Sequence, residues 1–573
     1  MGLLNIALQT SKEAIRVAQL GLEVTANNIA NANSPGYSRQ RVQTVASVPT
    51  ELRPGVFMGT GVKLDGIQRM VDEFLNSRIR DAVGDSASLA LQRQSLEQVE
   101  GIYNELTDSD LSTRMNEFFS SLSDLENSPE QMALRQLVVS QATHLADTFR
   151  QLKQGLMDAR ETANGQYVSV VDNINALTEQ VASLNQAIVR VEGGGIYRGS
   201  ASQLRDQRDA ALKQLADLVG IRTVEQTSGS VSVFAGSHLL VYDTTSFKLT
   251  TTTSVDRNLS VATAVFEQDG SRLEVTGGKL QGYQVSRDEI YSHNMDRLDT
   301  LAGALIWGIN QLHSEGRGLE GFGNLTSVER VEDPDATLNA TGLDFTPTNG
   351  TFQIRVTNRN TGQCDVAQVD VDLDGIGIDD SLNTLTTKIN TALGSIGAPV
   401  VATVNADRSL TLRSSSPDVS FCFAQDSSHV LAALGMGTFF TGSNAGNIGV
   451  NNLVQSDLTA VATALTDASG DGGNAGRMIS LREMRLPELN NLTLAEYYQS
   501  TISSNAIAAS VTQSQSDTAD VFLDTLESER ESVSGVNLDE EAVNLMRYQR
   551  AFQAAAKVIQ TLDEMLQAML DMV

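Results

Sequence analysis

No proline interrupts the chain between Pro129 and Pro334. Within that stretch apolar residues recur in steps of four and three, at Val138, Ala142, Leu145, Phe149, Leu152, Leu156, Ala159 and Ala163. One extra step of four leads to Tyr167, and the series resumes through Val170, Ile174, Leu177, Val181, Leu184, Ile188 and Val191. Every position is apolar or alanine, which predicts one long helix with a stutter near Gly165. Unbroken, it spans ~80 Å over these positions at ~1.5 Å per residue. A helix of that length makes a helical rod the scaffold to which everything else must attach.

The neighbouring patterns extend the rod. Asp72 to Leu106 and Leu111 to Glu126 have helical patterning, the second ending at the Ser128-Pro129 break. After the glycine run VEGGGIYRGSA (191–201), residues 202–220 predict a further helix. VSVFAGSHLLVYD, FKLTTTT and LSVATAVFEQDGSRLEV then alternate apolar and Thr-rich positions around an Asp269-Gly270 turn, which predicts antiparallel β. Residues 279–315, with Trp307, return to helix; 345–440 are strand-rich; from about residue 490 the chain is helical again. The fold class is therefore mainly α with inserted β domains, in a chain whose two ends can lie together.

A chain of 573 residues exceeds one hydrophobic core, since domains run to ~100–200 residues. The expected segments are a terminal helix and turn (1–65), a helical rod (66–221), a β module (222–278), a return helix (279–324), an outer β domain (325–445), the rest of the rod (446–530) and a C-terminal helix (531–573). Seventy acidic residues against 41 basic give a formal charge of −29, which repels nucleic acid and anionic lipid. No stretch approaches the ~20 apolar residues of a membrane span, and LAGALIWGI (301–309) reads as a buried helix. The start lacks the basic and continuous apolar regions of a cleaved secretory signal. Cys364 and Cys422 have no metal-ligand spacing; they are read as two buried free thiols, or as one bridge if they meet in space.

Both termini carry a seam. From Leu4 the four-three steps give Leu4, Leu8, Ser11, Ile15, Ala18, Leu22, Thr25 and Ile29, all apolar but Ser11 and Thr25. At the other end they give Leu545, Tyr548, Phe552, Ala555, Ile559, Leu562, Leu566 and Met569 without exception, after Asn537, which with Glu540 forms a capping box. Such helices are marginal alone in water and draw their stability from packing. The first runs into ANNIANANSPGYSRQ (26–40). Asn31 or Asn33 can adopt the left-handed conformation that closes a helix, and Ser34-Pro35-Gly36-Tyr37 reads as a type II turn. Asn27 and Asn28 fall inside the helix, where an amide competes with the backbone; they are either solvated or hydrogen-bonded to a neighbouring chain.

Two motifs imitate chemistry. GRGLEG (316–321) fits the dinucleotide-binding spacing but follows a helix, not a strand. DVDLDGIGIDDS (370–381) resembles a calcium loop with Ser381 where a bidentate Glu belongs. The five histidines are scattered, with no nucleophile elbow, H-E-x-x-H or P-loop. No catalytic, metal or cofactor site is expected, and the chain is not read as an enzyme.

The segments 25–42, TANNIANANSPGYSRQRV, and 534–566, SGVNLDEEAVNLMRYQRAFQAAAKVIQTLDEML, resemble the two terminal signatures of bacterial flagellar axial proteins. Residues 115–149, 203–215 and 428–442 resemble the hook-associated junction members of that family; a rod or hook protein would lack the long helical block at 130–220. The resemblance implies paired N- and C-terminal coiled-coil helices forming an inner tube, a long helical-bundle domain and outer antiparallel β modules. It also implies type III export without cleavage and an extracellular place at the hook–filament junction. The implied partners are other copies of the chain in a ring, the hook protein, a second hook-associated junction protein and a flagellar export chaperone, with no nucleic acid and no membrane insertion.

By the same resemblance, intersubunit assembly falls to Leu4, Leu8, Ile15, Leu22, Asn27, Asn28, Ile29, Asn31, Pro35, Gly36 and Tyr37. On the C-terminal helix it falls to Leu545, Tyr548, Phe552, Ile559, Leu562, Leu566 and Met569, and chaperone binding to Phe552, Ile559, Leu562 and Leu566. The competing readings are a secreted surface adhesin using its β modules, and another axial (rod or hook) protein.

Overall fold

The computed structural model describes residues 2–34, 36–53, 55–103, 110–194, 200–468 and 470–570. Pro35, residues 104–106 of the expected second helix and residues 195–199 of the glycine run lie outside them. In chain order, α1 (Gly2–Ala30) leads into a ribbon of β1 (Gln40–Ala46), β2 (Thr50–Arg53), β3 (Val56–Met58) and β4 (Val62–Arg69). Four helices follow: α2 (Glu73–Tyr103), α3 (Leu111–Asn127), α4 (Met132–Val191) and α5 (Ser202–Leu218). Then come β5 (Arg222–Glu225), β6 (Val231–Ala235), β7 (His238–Tyr242), β8 (Thr245–Ser246), β9 (Leu249–Asp256) and β10 (Leu259–Phe266). After α6 (Gly278–Val285), a π-helical turn (Ser286–Tyr291) and α7 (Ser292–Ser314), the chain enters β11 (Asn324–Thr326), β12 (Gly350–Asn358) and β13 (Cys364–Val371). Beyond them are α8 (Leu382–Ser395), β14 (Val400–Val404), β15 (Leu410–Ser414), β16 (Val419–Ala424) and α9 (Val430–Ala433). The last elements are β17 (Phe440–Thr441), β18 (Gly449–Val450), α10 (Asn452–Ser456), α11 (Gly473–Ser480), α12 (Leu494–Ser534) and α13 (Leu538–Leu570).

The long helix is real and continuous: α4 runs for 60 residues, through Gly165 without a break. Its stutter is absorbed because no other atom lies within 4 Å of a side chain built at Gly165. Two compact units divide the chain. One holds residues 1–94, 161–287 and 510–573; the other holds 95–160 and 288–509. Among the described residues no helix is long and apolar enough to cross a membrane.

In the first unit, the antiparallel sheet β5–β6–β7–β8 and the hairpin β9–β10 close over α5 and the α4 stretch Tyr167–Ala182, with Val233, Leu240, Ala264 and Ile174 fully buried. A smaller core joins Leu75, Ile79 and Val83 of α2 to Leu526 of α12. The ribbon β1–β4 was not anticipated within 1–65. Its strands carry only scattered apolar residues, so no alternation announced them. β1 pairs antiparallel with β4, Val42 opposite Ile67, and a bulge at Gln43/Thr44 shifts the register.

In the second unit, the sheets β13–β12–β16 and β11–β15–β14 sandwich a core with α8, built on Phe352, Ile354, Leu385, Phe421 and Phe423. The helix α8 is a correction to a region read as strands alone. Ser381 and Thr384 form a reciprocal capping box that starts it. The final position of the calcium-like loop, Ser381, is this cap. Asp372, Asp374 and Asp379 do bring carboxylate oxygens within 4.8 Å of one another, but Asp374 and Asp379 accept from the loop's own Ile376 and Gly375 N–H groups. The glycines of GRGLEG serve packing: a side chain at Gly318 would lie 2.1 Å from the Thr459 carbonyl, and one at Gly316 2.1 Å from the Asn474 amide. Cys364 and Cys422 are both free; only Cys422 is buried.

Arg135, in the first turns of α4, is wholly buried in this unit. Its guanidinium donates to the Pro129, Leu458 and Val461 carbonyls and to Thr463 Oγ1, at 2.7–3.1 Å. His313 at the end of α7 is its buried neighbour. Nδ1 lies 2.7 Å from the Gly437 carbonyl and Nε2 3.0 Å from the Ala462 N–H, which assigns the proton to Nδ1. Burial holds its pKa down to about 4, against the pull of the Gly437 carbonyl and with the help of Arg135's charge. A depressed folded pKa means stability is intact above the ordinary value of 6.5 and is lost as pH falls through about 4. Denaturant unfolding of this unit is therefore expected to lose roughly 3 kcal/mol more across that window in the wild type than in His313→Gln. Parallel pH profiles for the two proteins would refute this.

Candidate assembly site at the paired termini

The two terminal helices pack side by side in the first unit: α1 lies along α13. Leu4, Ile15 and Leu22 of the N-terminal seam and Leu545, Tyr548, Phe552, Ile559, Leu562 and Leu566 of the C-terminal seam are half-buried. Ala18, Thr25 and Ala555 are buried, whereas Leu8, Ile29 and Met569 remain exposed. Approach is closest at Gly21, where a side chain would lie 2.5 Å from the Tyr548 ring, so the absence of a Cβ sets the helix separation there. A pair of helices cannot cover a stripe this wide. Val543, Met546, Val558, Met565 and Met569 stay exposed on α13.

α1 ends without a left-handed asparagine. No non-glycine residue from 27 to 34 has positive φ; the Asn31 N–H still bonds to the Asn27 carbonyl at 3.0 Å, and the Ser34 N–H to the Asn31 carbonyl at 2.9 Å. Gly36 then takes φ +79°, and the Tyr37 N–H returns to the Ser34 carbonyl at 3.2 Å. Asn27 and Asn31 are linked to each other, the Asn31 amide donating to the Asn27 carbonyl.

Asn28 is neither solvated nor free for another chain. It is 1% exposed, and every polar atom of its amide has an intrachain partner. Nδ2 donates to the Gln40 carbonyl at 2.9 Å and to Glu541 Oε2 at 3.0 Å; Oδ1 accepts from the Gln40 N–H at 3.0 Å and the Tyr37 hydroxyl at 2.8 Å. The opposite side of the Glu541 carboxylate takes Arg39, whose Nε and Nη2 lie 2.9 and 2.8 Å from Oε1. Arg39 also reaches Glu540 at 2.8 Å. Glu540 thus pairs with Arg39, and Asn537 caps α13 from its side by accepting the Asp539 and Glu540 N–H groups. Burial alone would lower the Arg39 pKa, but Glu540 and Glu541 raise it; the Tyr37 hydroxyl is pushed up to about 12 by burial and by the Asp206 and Glu541 charges.

A second clamp holds the far strand of the ribbon. Buried Arg69 reaches Asp206 at 2.7 Å and Asp209 at 2.8 Å on α5, while the Met70 N–H bonds to the Arg39 carbonyl and the Arg39 N–H to the Ser534 carbonyl. Arg39, Arg69 and the clamping role of Glu541 escaped sequence reading. Each partner sits far along the chain, and Glu541 looked like a helix-start charge.

Paired terminal helices clasped to a turn, with a helical chain inserted between them, are similar in sequence to flagellar axial proteins. Residues 8–37 match the family model "Flagella basal body rod protein" and 528–572 match "Flagellar basal body rod FlgEFG protein C-terminal". Residues 96–325 match "Flagellar hook-associated protein FlgK helical domain". The chain is 26% identical to flagellar hook-associated protein 1 of Salmonella typhimurium over 570 residues, covering 97% of this chain and 98% of that one. It is 26% identical to the Escherichia coli K12 protein of that name, covering 98% and 99%, and 24% identical to that of Bacillus subtilis, covering 98% and 97%. The solved flagellar hook junction protein FlgK from Burkholderia pseudomallei shares the fold, with a TM-score of 0.50 at 18% identity over 80% of this chain and all of that one. The chain is thus similar to flagellar hook-associated protein 1 along nearly its whole length, and its middle matches that protein's helical-domain model.

Replacing Asn28 with Ala strands a buried carboxylate edge and the Gln40 backbone groups, at a cost of about 2–4 kcal/mol. The expected readout is faster amide hydrogen exchange along Gly2–Ala30 and Leu538–Leu570, with residues 288–509 unchanged. Unaltered exchange in both helices would contradict the assignment.

Proposed function

We infer that this chain is a structural subunit of the bacterial flagellum, polymerising at the hook tip to join hook to filament. It is a structural protein and not an enzyme, as its homologues are. The observation that carries the reading is the half-buried seam of α1 and α13, which two helices alone leave unfinished. Neighbouring copies complete it as a coiled-coil inner tube, so that burial of the remaining stripe offsets the ordering of the ends. Leu8, Ile29 and Met569, already exposed, lie on the outer edge of that contact, with Asn27, Asn31 and the turn at Gly36; Asn28 and Tyr37 support the turn from within, and Pro35 is a proposed contact outside the described residues.

The partners under this reading are further copies in a ring, the hook protein below and a second hook-associated junction protein above. Export is by the flagellar type III route, and a chaperone holds Phe552, Ile559, Leu562 and Leu566. Those four side chains are half-buried on the helix that packs along α1, so chaperone and α1 compete for α13. The segments 222–278 and 325–445 act as outer β modules on the rod. An adhesin, or a rod or hook protein, does not account for similarity to hook-associated protein 1 along the full chain.

Electron microscopy of cells lacking the chain is expected to show bare hooks, with flagellin shed into the medium. Ile559→Asp or Leu566→Asp should reproduce that state, since a carboxylate left unpaired in the completed seam costs several kcal/mol. Normal filaments without the chain, or normal junctions built from either variant, would contradict the reading.

A further inference from the structure

A ring or helix built from one kind of subunit needs two different, mutually complementary patches on each copy. The first unit presents one such pair. The ribbon leaves Val48 84%, Phe57 64% and Val56 51% exposed at its tip. Its residues 41–63 contain Arg41, Arg53 and Lys63 against Glu51 as the sole acid. Between α2 and α12 of the same unit runs an open groove of about 600 Å³, lined by Ala82, Leu89, Gln92, Gln281, Thr518 and Phe522. Its α12 wall is continuous with exposed Val521 and Val511, and Phe74 of α2 stands 73% exposed, its ring and that of Phe522 flanking the Arg78 guanidinium at 6.0 and 5.6 Å.

The groove is acidic where the ribbon is basic. From 517 to 531, α12 carries Asp517, Asp520, Asp524, Glu527, Glu529 and Glu531 against Arg530 alone, and α2 adds exposed Asp81 and Asp85. Glu527 is engaged by Lys213, Asp520 by Ser86 and Asp517 by Gln513, which leaves exposed Asp524, Glu529 and Glu531 for a partner. Apolar anchors inside opposite charge is the composition of a specific, electrostatically steered interface.

We propose that the ribbon tip of one copy docks in the α2–α12 groove of the next, Phe57 beside Phe522, with Lys63 and Arg41 facing the α12 carboxylates. The contact is head-to-tail, so it propagates around a ring. It rests on the junction reading and adds to the terminal-helix seam a second contact at the rod surface.

The test uses the full chain in flagellated cells, in a Cys364→Ser background that leaves buried Cys422 in place. Phe57→Cys combined with Val521→Cys should give, on oxidation of isolated hook–filament junctions, a ladder of crosslinked dimers and larger species that neither single variant gives. Should that pair disturb folding, charge reversal supplies an independent measurement. Lys63→Glu and Asp524→Lys should each lower the number of filamented hooks about tenfold, and together restore it. Junctions that form normally without a ladder, single reversals at wild-type filament number, or crosslinks to a protein of another mass would overturn the docking. Failure of the junction reading itself shows differently, as normal filaments in cells lacking the chain.

Discussion

The Glu541 carboxylate is the point on which the arrangement of the termini turns. It is 3% exposed and held between Arg39 on one side and Asn28 on the other. A buried charge of this kind is costly unless paired and hydrogen-bonded, and strongly destabilising once a partner is lost. Here one carboxylate joins the first turn of α13, the last turns of α1 and the start of the ribbon. None of the three can shift without leaving a charge or an amide unsatisfied in the interior. The exposed Arg39–Glu540 contact adds little by comparison, because solvent screens it.

From that clasp the rest follows in order. The Arg39 backbone bonds to both Ser534 and Met70, and Arg69 carries the connection on to Asp206 and Asp209 of α5. The terminal pair is thus fixed by its base, while its seam toward the free ends stays half-covered. Fixed at one end and unfinished along its length, such a pair leaves apolar surface on α13 exposed, which is what the proposed assembly would cover.

The parts legible in sequence were those written as local periods. The 60-residue helix α4 followed from spacing alone, as did the seams on α1 and α13, because each turn of a helix repeats the requirement for an apolar residue. The ribbon β1–β4 was missed because strands with mostly exposed faces need no alternation, and α8 was missed because Ser381, the cap that starts it, was read as the last position of a calcium-like loop. Asn28 was conspicuous as an amide within a helix, yet its partner stands at the other end of the chain, where no local signal can point. Arg135 is the same lesson: apart from the nearby Pro129 carbonyl, the partners of this buried arginine in α4 lie at Leu458, Val461 and Thr463, far along the chain.

The most direct measurement is a double-mutant cycle on the purified chain, combining Arg39→Ala with Glu541→Ala and following denaturant unfolding of the unit that contains both. A clasp that holds the termini together predicts a coupling of about 1.5–3 kcal/mol between the two positions. A coupling below about 0.5 kcal/mol would mean that the two residues act independently, and that the termini are organised by something other than this carboxylate.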